Sequence, residues 1–117
     1  MPSTTSYKRG DVVLVPFPFT DLSAAKQRPA LVISSDTFNL THDDIVLAAI
    51  TSQVPATLAP DELSISKQEL ISCGLPKPSI LKLSKIVTLH RRLIIKRIGA
   101  LPQMTLEKVV GQIRQQF

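Results

Sequence analysis

The chain has 117 residues, 44% of them apolar, and 14 Lys and Arg against 9 Asp and Glu give it a formal net charge of +5. That length suits one domain over residues 1–117 with a modest core, and no apolar run reaches the roughly 18 residues a membrane-crossing helix needs. Met1-Pro2-Ser3-Thr4-Thr5-Ser6-Tyr7 has no secretory core and Cys73 is the one cysteine, which excludes an internal disulfide or a multi-cysteine zinc site and predicts a cytosolic chain.

In chain order, Asp11 to Phe17 and Pro29 to Ser34 are short β-branched runs, and Pro18 to Gln27 between them has loop composition. Pro16 and Pro18 cannot donate to a ladder, so the first strand is expected to end at a sheet edge or peel into a mobile loop. Asp44 to Thr51 is almost wholly apolar, as a strand buried on both faces must be. Val54 to Pro60 reads as a turn, Leu63 to Ile65 as a short strand, and Lys67 to Ser72 as a short connecting helix stopped by Gly74 and Pro76. Ser79 to Leu83 and Lys85 to Leu89 read as two strands with alternating apolar and basic positions, which sets Lys82 and Lys85 on an exposed face. After a strand at Ile94 to Ile98, Thr105 is expected to cap a final helix with Leu106, Val109, Val110 and Ile113 on one face. The pattern predicts a mainly β chain: a small, partly open barrel with short connecting helices and a C-terminal amphipathic helix.

Charge is unevenly spread. Between Glu69 and Glu107 there is no acidic residue, while Lys77, Lys82, Lys85, Arg91, Arg92, Lys96 and Arg97 fall in that interval. One positive face follows, suited to nucleic acid or to an acidic protein tail, although a solvated basic face needs no partner at all.

Two apolar runs end in polar groups. Arg28 opens Pro29-Ala30-Leu31-Val32-Ile33, and Thr51-Ser52-Gln53 closes Ile45 to Ile50; the two ends are expected to meet at one rim of the barrel, where a phosphate can be handled. Taken singly, Arg28 is an ordinary strand start and Thr51 an ordinary strand-end threonine. Cys73 is expected to pack, Asp11 to be a structural acid, and His42 and His90 to lie on the surface. Asp43-Asp44 is a bare pair with no metal-ligand spacing around it, so no metal site is predicted.

Gly10-Asp11-Val12-Val13, Phe17-Pro18-Phe19-Thr20-Asp21, Arg28-Pro29-Ala30-Leu31-Val32 and Ala49-Ile50-Thr51-Ser52-Gln53 together resemble, in order and spacing, the MazF/PemK toxins of bacterial toxin–antitoxin systems. The resemblance runs on through Gly74-Leu75-Pro76-Lys77-Pro78-Ser79, Lys85-Ile86-Val87-Thr88-Leu89 and Ile98-Gly99-Ala100-Leu101, covering roughly residues 8 to 101. It implies an SH3-like barrel that dimerises and cleaves single-stranded RNA, mRNA above all, at short sequences without a metal or other cofactor. It also implies silencing by a cognate antitoxin with an acidic or disordered tail, and contact with operator DNA only through the antitoxin complex. The first loop departs from the better-known members, reading Leu22-Ser23-Ala24-Ala25-Lys26-Gln27, and Val87 stands where many relatives carry an arginine.

Carried over by position, the resemblance implies Arg28 and Thr51 as the catalytic pair. It implies an RNA-binding set of Thr20, Lys26, Gln27, Ser52, Gln53, Lys77, Ser79, Lys82 and Lys85. The reaction implied is attack of a ribose 2′-OH on the adjacent phosphorus, leaving a 2′,3′-cyclic phosphate and a 5′-OH; DNA lacks that nucleophile. Arg28 suits a charge clamp on the phosphoryl oxygens better than a proton donor, and the group that carries the protons stays open. Two other readings share the fold: a toxin that poisons a protein target such as gyrase, and an inactive barrel kept for antitoxin and operator binding.

Overall fold

The computed structural model describes residues 6–16 and 27–117. Residues 18–26 of the predicted loop, Thr20 and Lys26 among them, lie outside the described residues. β-Branched and aliphatic residues carry six strands: β1 (Asp11–Pro16), β2 (Gln27–Val32), β3 (Asp44–Thr51), β4 (Glu62–Ile65), β5 (Ser79–His90) and β6 (Lys96–Ala100). They form one antiparallel sheet in the order β4-β5-β3-β2-β1-β6, curled into a half-barrel, which is the mainly β, partly open architecture expected.

Strand period builds two cores. Alternate side chains point to opposite faces, so Val12, Leu31, Ala48 and Ile50 join one cluster and Val13, Val15, Ala30, Val32, Ile45, Leu47 and Ala49 join the other. β3 therefore buries both faces, as its unbroken apolar run requires.

β5 corrects the expectation of two strands. Ser79 to His90 is one strand, and Ser84, the expected break, lies in a bulge where the register against β3 jumps from Ala48↔Ile86 to Ala49↔Lys82. A slip of an odd number of residues exchanges the faces. Leu81 and Leu83 accordingly pack into the first cluster, while Val87 and Leu89 pack against the second. Apolar alternation alone cannot separate such a bulge from a chain break.

Pro16 ends β1 opposite Gln27, so Gln27, expected in the loop, is the first residue of β2. On the β6 side the ladder stops at Leu14↔Lys96, which leaves Pro16 where no donor is needed, in accord with its chemistry. β6 starts later than expected because Arg91–Leu93 forms a 3-10 turn and Ile94 folds into the second cluster.

Of the helices, α1 (Asp36–Thr41) is not foreseen by apolar period. It is a single short element held by the Ser35 hydroxyl accepting from Phe38 N–H and by the Arg91 guanidinium donating to the Asn39 and His42 carbonyls, the latter at 2.6 Å. α2 (Lys67–Cys73) has the expected body, with a Ser66/Glu69 capping box and Gly74 in the left-handed conformation at its end. α3 (Gln103–Gln116) starts two residues before Thr105, with Pro102 at its N-cap and no side-chain cap. Thr105 instead donates its hydroxyl to Glu69 Oε2 and so ties α3 to α2. The predicted face holds: Leu106 and Val109 are buried, and Val110 and Ile113 pack beside them. Among the described residues no helix is long and apolar enough to cross a membrane.

Candidate active site

β2 begins where β3 ends. The register Ala30↔Ala49, Leu31↔Ala48 and Val32↔Leu47 brings the first residues of β2 beside the last of β3, and β5 starts at the same end with Thr51↔Ile80. A cleft of about 320 Å³ opens there, lined by Gln27, Arg28, Pro29, Ile50, Thr51, Ser52, Leu75, Pro76, Lys77 and Ser79.

The far wall comes from the segment after α2. Gly74 reverses the chain at φ 70°, and a β-carbon on it would lie 2.1 Å from the Ile98 carbonyl oxygen, so the reversal and the close approach to β6 both require glycine. Leu75 N–H returns to the Leu70 carbonyl at 2.9 Å, Leu75 enters the first cluster, and Pro76 and Lys77 follow onto the wall.

The expected site residues divide in three. Arg28, Thr51, Gln27, Ser52, Lys77 and Ser79 line the cleft together. Gln53 lies one residue beyond, exposed, and its main-chain N–H donates to Thr51 Oγ1 at 3.1 Å. Lys82 and Lys85 are not among the lining residues: Lys82 pairs with Glu62 at 3.3 Å across the β4–β5 ladder, and Lys85 sits in the β5 bulge. The basic stripe is thus partly neutralised by its neighbouring strand, which alternation of basic and apolar residues does not reveal.

Two strand-end hydroxyls of the cleft, those of Thr51 and Ser79, are engaged differently. Thr51 Oγ1 accepts from Gln53, which leaves its proton to donate, whereas buried Ser79 spends its proton on the Lys77 carbonyl at 2.9 Å. With Arg28 and Lys77 beside them, the lining presents donors and positive charge to whatever enters. Pro29, Ile50, Leu75 and Pro76 supply an apolar floor that sequence reasoning did not assign; their signal was only their place beside Arg28, Thr51 and Lys77 within the same motifs.

The remaining candidates fall away from the cleft. Asp11 is buried and accepts from Lys8 N–H at 2.9 Å and from Arg97 Nε at 3.0 Å, a structural acid as expected. His42 stacks on Phe38, with centroids 3.9 Å apart, and His90 Nδ1 accepts from Arg92 N–H at 3.1 Å. Cys73 is buried with Sγ 3.8 Å from the Ala100 carbonyl, and burial pushes its thiol up to about 11.

Comparison with known proteins bears on the family and on the fold. The model of the PemK-like, MazF-like toxins of type II toxin–antitoxin systems matches residues 8–117. The chain is 32% identical over 92 residues to endoribonuclease MazF6 of Mycobacterium tuberculosis, spanning 78% of each chain, and equally to endoribonuclease MazF2 of Mycobacterium bovis. Its fold is similar to that of MazF from Deinococcus radiodurans, with a TM-score of 0.72 at 19% identity over 97% of both chains. It is likewise similar to a mycobacterial endoribonuclease solved with its cognate antitoxin, at 0.72 and 18% over 93% of this chain and 92% of that one. The match over residues 8–117 and the 32% identity to these relatives show it: the chain belongs to the PemK-like, MazF-like toxins of type II toxin–antitoxin systems.

Proposed function

We propose that this toxin is an endoribonuclease acting on single-stranded RNA at the cleft between the start of β2 and the end of β3. The observation that carries the reading is the joint presence of Arg28, Thr51 and Lys77 in one cleft, a cation–hydroxyl–cation set suited to a phosphodiester. Arg28 forks two N–H donors onto the phosphoryl oxygens as negative charge builds in the transition state, and Thr51 adds a hydroxyl donor to the same group. The ribose 2′-OH attacks phosphorus, the bond to the 5′-oxygen breaks, and the products are a 2′,3′-cyclic phosphate and a 5′-OH. Lys77, Gln27, Ser52 and Ser79 flank the reacting phosphate and hold the neighbouring nucleotides, with the apolar floor against base or sugar. Cleavage is sequence-selective and independent of metal.

The chain acts as one domain in the cytoplasm, as a homodimer, with operator DNA reached only through its complex with an antitoxin. The cognate antitoxin carries an acidic or disordered tail, which the basic interval from Lys77 to Arg97 suits by charge. The test is incubation of the purified chain, in EDTA, with a long single-stranded RNA, mapping new 5′ ends beside Arg28→Ala and a DNA of the same sequence. Discrete 5′-OH ends at one short motif, absent with the variant and with DNA, are expected. RNA left intact at enzyme excess overturns the reading and points to a protein target.

A further inference from the structure

We infer that the main-chain N–H of Gln53 is a positioning group for the reaction, acting through the Thr51 hydroxyl. This rests on the reading that Thr51 contacts the reacting phosphate. A threonine hydroxyl carries one proton and two lone pairs and rotates freely unless a neighbour engages it. Gln53 N–H donates to Thr51 Oγ1 at 3.1 Å, two residues on in the chain, just where β3 ends. With that lone pair taken, the proton is excluded from the side facing Gln53. The hydroxyl is held as a donor in a cleft whose charged lining groups, Arg28 and Lys77, are donors too.

A phosphoryl oxygen accepts from such a group and offers no competing donor. A freely rotating hydroxyl would have to be oriented by the substrate at each turnover, at a cost in the transition state. Gln53 thus contributes through its backbone, while its side chain is exposed and the cleft lining stops at Ser52.

The group to remove is the N–H alone, so the test is an amide-to-ester exchange at the Ser52–Gln53 linkage in the full chain assembled by ligation. The same exchange at the next linkage, Gln53–Val54, is the control. The expected result is a fall in kcat of about fivefold, the worth of one neutral hydrogen bond, with KM held within about twofold and melting unchanged. The Val54 ester keeps the kcat of the intact chain. An unchanged kcat in the Gln53 ester, an equal loss in the Val54 ester, or a rise in KM that accounts for the whole loss overturns the inference. Thr51→Val, measured alongside, separates the two levels. Full activity there removes Thr51 from the reaction and sinks the proposed function at this site; loss there beside a fully active Gln53 ester sinks the positioning role alone.

Discussion

Arg28 and Thr51 share one face of the sheet and one cleft: the register that sets Ala30 against Ala49, continued two residues outward, sets Arg28 against Thr51. Both carry the strand parity of the second cluster, to which Ala30, Val32, Leu47 and Ala49 belong. A one-residue slip between β2 and β3 would turn one of the pair to the opposite face, and the buried clusters forbid that slip. The core therefore sets the geometry of the polar pair at its rim.

Arg28→Lys is expected to keep the charge and lose the fork. If the guanidinium clamps two phosphoryl oxygens, kcat falls by about a hundredfold with little change in KM, and Arg28→Ala falls further. Single-turnover cleavage of a short RNA measures both; a lysine variant within a few-fold of the parent rules out bidentate clamping.

Lys77 and Lys82 are expected to differ although both belong to the basic interval. Lys77 lines the cleft and Lys82 is paired with Glu62. Lys77→Ala should reduce the slope of log affinity against log salt by about 0.7 for a single-stranded ligand, and Lys82→Ala should leave more of that slope in place. Binding of a 2′-O-methyl oligonucleotide across a salt series reads the difference. Equal slopes for the two variants would place RNA along β5 instead.

Gly74→Ala is expected to cost about 2–4 kcal/mol, because the new β-carbon meets the Ile98 carbonyl at a positive φ. The melting temperature should fall on the order of 10 °C. Cleavage by the folded fraction should also weaken, since Leu75, Pro76 and Lys77 follow this turn into the cleft wall. A variant that melts with the parent would show that the reversal tolerates a side chain.

Glu69 gives a pH-dependent contribution. Burial works against its charged form, but the Thr105 hydroxyl and the Ser66 amide outweigh it and hold the carboxyl below the usual range. A depressed folded pKa contributes stability that is present above the unfolded value near 4.5 and lost as pH falls through the folded value. Glu69→Gln should therefore melt below the parent at pH 7, and the gap should close towards pH 3. A gap that stays constant with pH assigns the loss to packing.

Cys73, with its thiol at about 11, should be almost inert in the folded chain at pH 8, where roughly one part in a thousand is thiolate even before burial limits access. Iodoacetamide labelling followed by mass should give one adduct only after denaturant is added. Rapid labelling of the native chain would mean that α2 opens readily over β6.

Much of the fold was legible because it rests on local periodicity. The apolar run of β3, the Gly74 stop and the Leu106-Val109-Val110-Ile113 face each state their element in a few neighbouring residues. α1 was missed because six residues carry too little period, and its anchor, Arg91, is distant in the chain. Thr105 was misassigned because a threonine before an apolar face reads as a cap, whereas its partner is Glu69 on another helix.

Most of the strand positions, the charge asymmetry and the polar residues Arg28 and Thr51 at the ends of apolar runs can be read from the amino acids alone, since composition and period are local properties. Which of the basic residues face the cleft depends on how distant segments pack. The Glu62 pair holds Lys82 across the β4–β5 ladder and Lys85 falls in the β5 bulge, while the Gly74 turn brings Lys77 in. The hydrogen bond from Gln53 to Thr51 and the apolar floor under them likewise appear only once the strands are in register. Register depends on which side chains share a core, and that is a contact between segments distant in the chain.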